Sequence, residues 1–149
     1  MNIVTFCTAI SVAPPKLYAV SLYHDTMTKD AFLSSGRGVL QLLRPRHSSL
    51  VPLLGQQSGY TFNKRDACAE AGFVWENHGG LDVLPDCAGY TEVHVESTVL
   101  AGDHTLAICR VVGNKQWRDG QLVDAEISPG ALDASDVLYT GLLRGEGII

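Results

Sequence analysis

The stretch from Gly89 to Val112 constrains this chain more than any other. From Tyr90 to Glu96 polar and β-branched residues alternate. That pattern puts Tyr90, Glu92, His94 and Glu96 on one face of a strand and Thr91, Val93 and Val95 on the other. Ala101-Gly102-Asp103 then reads as a turn, because glycine tolerates positive φ and aspartate caps its own backbone. Thr105 to Val112 returns apolar on both faces apart from Arg110, as a central strand does. The unit is a β-hairpin with His104 at the base of its second strand. The rest of the chain is expected to add strands to this hairpin and pack helices over their ends.

A length of 149 residues suits one domain around one core. With 46% hydrophobic and 18% charged residues, the chain is globular and not disordered. Its net charge, 11 − 16 = −5, argues against a general nucleic-acid or anionic-membrane surface but leaves room for a local basic pocket. Cys7, Cys68, Cys87 and Cys109 form no C-x-x-C pair, and no His–Cys cluster has zinc-ligand spacing. The expectation is four reduced, mostly buried thiols and no metal. The protein is then soluble and kept in a reducing compartment, the cytoplasm or an organelle such as the plastid after transit-peptide removal. No apolar run approaches the ~20 residues of a membrane span. Met1 to Pro15 has neither a basic n-region nor a cleavage site, so it is not a signal peptide.

In chain order, Asn2 to Val12 reads as a strand closed by Pro14-Pro15, since neither proline donates to a ladder. Leu17 to Tyr23 is a second strand, apolar on both faces and therefore buried. Thr26, Thr28 and Lys29 open a short helix, Lys29 to Ser35, stopped by Gly36. A helix start rich in hydroxyls can hold a phosphate, because free N–H groups point outward there; an ordinary capped helix is the plainer reading. Gly38 to Leu43 is a third strand. Short helices follow at Leu50 to Leu54 and Arg65 to Ala71, then a strand at Phe73 to Trp75 and a turn at Asn77 to Gly80. Leu81 to Leu84 leads through Pro85 into the hairpin. Beyond it, Gly113-Asn114-Lys115 reads as a turn, Gln116 to Ile127 as an irregular excursion, Ser128-Pro129-Gly130 as a turn, and Val137 to Tyr139 as a last short strand or docking segment.

Phosphate-loop, dinucleotide and nucleophile-elbow motifs are all missing. Glu92 and Glu96 can form a carboxylate pair on one strand face, although solvated glutamates are the plainer reading. His24, His47, His78 and His94 have no spacing suited to a shared metal.

Four pieces, taken in order, resemble the flavin-reductase-like, FMN-binding split-barrel family. They are Ser11-Val12-Ala13-Pro14-Pro15-Lys16-Leu17, then Thr26-Met27-Thr28-Lys29, then Gly55, Ser58 and Gly59 with Lys64 following, and last the Ala101 to Leu106 hairpin with Val111-Val112. Leu138 to Gly141 also resembles the family's closing stretch. The resemblance implies a mainly β, six- or seven-stranded antiparallel Greek-key split barrel with short flanking helices. It also implies one domain over 1–149 and a homodimer with FMN at the subunit interface. On this sequence it assigns Thr5, Cys7, Thr8 and Ala9 to a flavin-facing strand, and Thr26, Thr28 and Lys29 to the flavin phosphate. His104 falls beside the flavin and the nicotinamide approach. Two departures stand out: the family's usual strand before Asn2 is missing, and Asn2 to Pro14 is shorter than usual. The implied activity is hydride transfer from NAD(P)H to the flavin, which does the chemistry while the protein orients it. The alternatives are a split-barrel module that holds flavin or haem without turnover, and a scaffold that only dimerises.

Overall fold

The computed structural model describes residues 1–118, 121–124, 134–138 and 140–148. Six antiparallel strands form one sheet: β1 (Cys7–Ser11), β2 (Leu17–Tyr23), β3 (Arg37–Leu42), β6 (Gly89–Ala101), β7 (His104–Arg118) and β8 (Gln121–Asp124). Their order is β1-β2-β7-β6-β3, with β8 paired to β7. A small hairpin, β4 (Glu76–His78) and β5 (Leu81–Val83), stands beside this sheet. Helices α1 (Met27–Ser35), α2 (Leu50–Gly55), α3 (Lys64–Glu70) and α4 (Thr140–Gly145) are all short. The architecture is thus mainly β and antiparallel, as expected. Among the described residues no pairing joins β1 to β3, so the sheet's path is open there.

The β6–β7 hairpin is the sheet's centre, and its two-residue turn is Gly102-Asp103, with Ala101 paired to His104 and Gly102 at φ 64°. Its strands run further than their sequence suggests. Gly113 to Lys115 does not turn but continues β7, opposite Tyr90 to Glu92. Gln116 to Arg118 also belongs to β7, and Gln121–Asp124 returns as β8, so the expected excursion is a hairpin over these residues. Backbone pairing with β6 overrides the turn propensity of Gly-Asn. The other end of the chain errs in the opposite direction. The strand expected over Asn2 to Val12 is only Cys7–Ser11, because Met1 and Ile3 pack instead against Leu50, Leu54, Cys68 and Leu84. The strand expected at Phe73 to Trp75 sits three residues later, as β4. Ser128 to Gly130 and Tyr139 lie outside the described residues, while Leu138 does dock, donating its N–H to the Leu43 carbonyl at 2.7 Å.

Register assigns the two faces of the sheet. Val20, Leu22, Ala107 and Cys109 look inward with Val93, against Phe32 and Leu33 of α1 and Leu40 of β3. Tyr90 is on the polar parity of β6, yet it is buried, because Val83 and Cys87 cover that face together with Val39. Glu92 and Glu96 are not a carboxylate pair. Arg37 Nη2 donates to Glu92 at 2.8 Å, and Arg110 Nε to Glu96 at 2.5 Å. Helix α1 is fixed on the sheet by Phe32, whose ring lies where a side chain at Gly38 would have to be, 2.5 Å from an ideal Cβ. This contact decides where the N-terminal turn of α1 points.

Candidate functional site: a cleft at the first turn of helix α1

Thr26 caps α1. Its Oγ1 accepts from Lys29 N–H at 3.3 Å and donates to the Tyr23 carbonyl at 2.9 Å. The N–H groups of Met27 and Thr28 have no helical carbonyl to bond, as at every helix start. Facing this turn is the loop from Gln56 to Asn63, and between them lies a cleft lined by Asn2, Asp25, Thr26, Thr28, Ser58 and Lys64. Two pieces of the chain read separately in the sequence, Thr26-Met27-Thr28 and Ser58-Gly59 with Lys64, therefore meet at one place.

Lys64 closes the back of the cleft. It is only 7% exposed, at the start of α3. Its Nζ donates to the Leu54 carbonyl at 2.6 Å and approaches Asn2 Oδ1 at 3.5 Å. Among the described residues no carboxylate pairs with it. Burial pushes its ammonium below the usual lysine range. The cleft thus brings a desolvated cation together with helix-start N–H groups and hydroxyls, with the Asp25 carboxylate also on its lining. Sequence reading had Lys64 in a motif but not in the site, because nothing in the sequence shows that it is buried. Lys29, by contrast, does not line the cleft; its Nζ lies 3.4 Å from the Asp30 carboxylate.

Strand β1 is the edge of the sheet, and Thr5 to Ile10 are all exposed. Register separates the four residues assigned to a flavin-facing strand. Cys7 and Ala9 point to the inner side, with Val20 and Tyr18, whereas Thr8 points to the outer side with Ala19. Thr5 precedes the strand. His104 is on the outer side with Thr8, since Tyr23 pairs with His104 and shares the parity of Ala19. Its imidazole meets the rings of Tyr23 and Phe6 edge-on, with centroids at 5.3 and 6.2 Å. Its Nδ1 is 2.6 Å from Asp103 Oδ1, and this contact holds the Asp103 carboxyl below the usual carboxylate range. The cleft begins at Asp25, two residues after Tyr23, the pairing partner of His104. Among the described residues no group of His, Cys, Asp or Glu side chains is placed to hold a metal. Nor is any described helix long and apolar enough to cross a membrane.

The fold and the cleft define the chain as a small, mainly β antiparallel domain with a polar cleft at a helix start. The chain belongs to the flavin reductase like domain family, whose sequence model matches residues 2–128. Solved structures agree on the fold. The FMN-binding protein from Thermus thermophilus with bound p-hydroxybenzaldehyde is 23% identical, with 83% of this chain and 72% of that one covered at a TM-score of 0.64. The flavin reductase of styrene monooxygenase from Pseudomonas putida is 25% identical, covering 78% and 69% at a TM-score of 0.60. The NADH:FAD oxidoreductase of Streptomyces globisporus, in complex with NAD and FAD fragments, is 15% identical, covering 86% and 77% at a TM-score of 0.64. No curated protein matches the chain.

Proposed function

We propose that this chain is an FMN-binding oxidoreductase of the flavin-reductase type, folded as one domain. The observation that carries this reading is the buried Lys64 at the back of a cleft that also holds Thr26, Thr28 and Ser58. These groups fit the phosphate of FMN. The N–H groups of Met27 and Thr28 would donate to its oxygens, and Lys64 would supply the charge. Lys29, paired with Asp30, would add a screened positive charge at the rim. Bound flavin would supply hydride acceptance from NAD(P)H. The chain's own part is to orient and to exclude water. Thr8 and His104 on the outer face would be the groups nearest the ring end, while Cys7 and Ala9 line the edge strand from its other side and Thr5 lies just before it. The test is a visible absorption spectrum with and without FMN, followed by NAD(P)H oxidation with added flavin. A protein that takes up no FMN contradicts the reading. One that binds FMN but oxidises neither nicotinamide supports the non-catalytic alternative.

His104 has no structural duty that a threonine could not fill, apart from its contact with Asp103. His104→Ala is expected to leave a folded, flavin-binding protein with weaker nicotinamide use, seen in KM more than in kcat. Steady-state kinetics equal to wild type with both nicotinamides would reduce His104 to a part of the turn.

The homodimer also belongs to this reading. Leu17–Tyr23 and Val39 to Leu43 spend most of their apolar side chains inside the chain's own cores. Exposed instead are Phe6 at 67%, Val12 at 80%, Val99 at 54% and Leu100 at 80%. Large apolar residues left open in this way mark an interface. The expected light-scattering mass at micromolar concentration is twice that of the 16.0 kDa chain. A mass of one chain would remove the dimer from this account.

A further inference from the structure

We propose that the free edge of β1 pairs with the β1 edge of a second copy of this chain, antiparallel about Thr8, so that one sheet runs through both copies. The inference rests on the homodimer of the reading above and names the surface that makes it.

Among the described residues β1 is paired on one side only, with β2. The Phe6 carbonyl accepts from Ser21 N–H at 2.9 Å, and Thr8 stands opposite Ala19. Ladder groups alternate along an antiparallel strand, so Phe6 and Thr8 turn their backbone groups toward β2. Cys7 and Ala9 turn theirs the other way, where no described strand meets them. Such an edge is a template for another strand. Natural edges are commonly blunted by a charged side chain, lysine above all. Here Met1 to Pro15 holds no Lys, Arg, Asp or Glu, although the chain as a whole carries a net charge of −5. Two copies can therefore meet along β1 without like charges opposite each other.

The order of side chains fits a second copy. A two-fold axis sets one residue opposite itself and the residues before it opposite those after it. With the axis at Thr8, Cys7 faces Ala9 of the second copy and Phe6 faces its Ile10. Cys7 and Ala9 then exchange their outward N–H and C=O groups across the join, and both side chains are small. Thr8 meets its own copy, a favourable cross-strand pair. Phe6 and Ile10, 67% and 50% exposed, cover one another as aromatic and β-branched residues do. Moving the axis to Cys7 sets Phe6 against a threonine, and moving it to Ala9 does the same to Ile10. Phe6 is already turned to the outer face, where its ring meets His104 edge-on. It also heads a row across that face, through Ser21 and Leu106 to exposed Val99, which the single chain leaves open at β1.

A residue on the axis faces its own copy, and the test uses that. Thr8→Lys and Thr8→Glu are each made in the full chain, and mass is read by light scattering at micromolar concentration, for each alone and for an equimolar mixture. Thr8 is exposed, so both variants should fold, which circular dichroism checks. Wild type is expected at twice 16.0 kDa, either variant alone at the mass of one chain, and the mixture at that of two chains again. Ala9→Pro, which loses an outward N–H and keeps the side facing β2, should also fall to one chain. Charged variants that stay dimeric overturn the inference and leave the homodimer standing on another surface. A mixture that stays at one chain also overturns it, because opposite charges on the axis should restore the pair. Wild type at one chain removes the homodimer itself, and the edge pairing with it, while FMN uptake, measured separately, decides the flavin reading.

Discussion

Lys64→Met is expected to weaken FMN binding by about 10- to 100-fold, since a hydrogen bond to a charged group contributes about 1.5–3 kcal/mol. The side chain is nearly as long and keeps its packing in a site that is 7% exposed. What it loses is the charge. Two effects act in opposite directions on the flavin-free protein. Removing a desolvated ammonium relieves a cost, because a buried charge without a carboxylate partner is poorly compensated. Removing its N–H groups leaves the Leu54 carbonyl without the donor now at 2.6 Å, which costs about 1–3 kcal/mol. The two roughly cancel, so the melting temperature of the apo-variant should stay near that of wild type. Added FMN separates them. At a concentration one hundred times the wild-type Kd, ligand stabilises wild type by about 2.7 kcal/mol, and a variant weakened 100-fold by only about 0.4 kcal/mol. Thermal melts with and without FMN read both quantities in one experiment. A variant that still gains the full wild-type shift places the phosphate elsewhere. Lys64→Arg, which keeps the charge but replaces the compact ammonium with a bulkier planar fork, should fall between.

How much of this was legible in the sequence depends on the kind of signal each part sends. The hairpin and its Gly102-Asp103 turn were readable, because two-residue turns need glycine where φ is positive and the flanking strands alternate. Leu17–Tyr23 was readable to the residue, since Pro14-Pro15 and the Thr26 cap bound it on either side. The length of β7 was not. Gly113 to Lys115 has turn composition, and only the partner strand, opposite Tyr90 to Glu92, keeps it extended. A pairing partner is information that a local window lacks. The site divides in the same way. The hydroxyl-rich helix start was visible as a cap. Lys64 was visible as a member of a motif, but its burial depends on how α3 packs against α2 and on Asn2, 62 residues earlier in the chain. The four residues read as one flavin-facing strand illustrate a further limit. The family resemblance named Thr5, Cys7, Thr8 and Ala9 together, and the pleat of the observed strand puts Cys7 and Ala9 on one side and Thr8 on the other.

His47 was passed over for the same reason, and the largest expected loss of stability attaches to it. In the sequence it stands in a basic turn, Arg44-Pro45-Arg46-His47, with nothing to mark it. In the fold it is fully buried against Phe73, with ring centroids 5.0 Å apart. Its Nδ1 accepts from Arg44 N–H at 3.0 Å and its Nε2 donates to the Pro85 carbonyl at 3.2 Å. Those two bonds fix the neutral tautomer, with the proton on Nε2. They join the end of β3 to the segment that leads into β6, where Arg46 also reaches Asp86 at 2.7 Å. His47→Ala leaves two buried backbone groups without partners, at about 1–3 kcal/mol each, and adds a cavity. The sum is about 3–5 kcal/mol, or about 10 °C of melting temperature for a chain of this size. The acid limb carries the signature of the imidazole itself. Burial holds the His47 pKa below its ordinary value, so the unfolded chain binds the proton more readily than the folded one. The sign follows from linkage. The stability His47 confers is complete above the unfolded pKa of about 6.5 and is lost as pH falls through the lower folded value. Wild type should therefore lose stability on acidification below about pH 6.5 more steeply than a variant without the imidazole. His47→Gln, whose amide can accept from Arg44 and donate to Pro85, is the variant to compare. It should fold, melt between wild type and His47→Ala, and show a flatter pH profile. Denaturant unfolding of wild type and His47→Gln at pH 8, 6.5 and 5 measures this. Parallel profiles would mean that His47 binds its proton equally well in the folded and unfolded chain and that the acid limb belongs to another group.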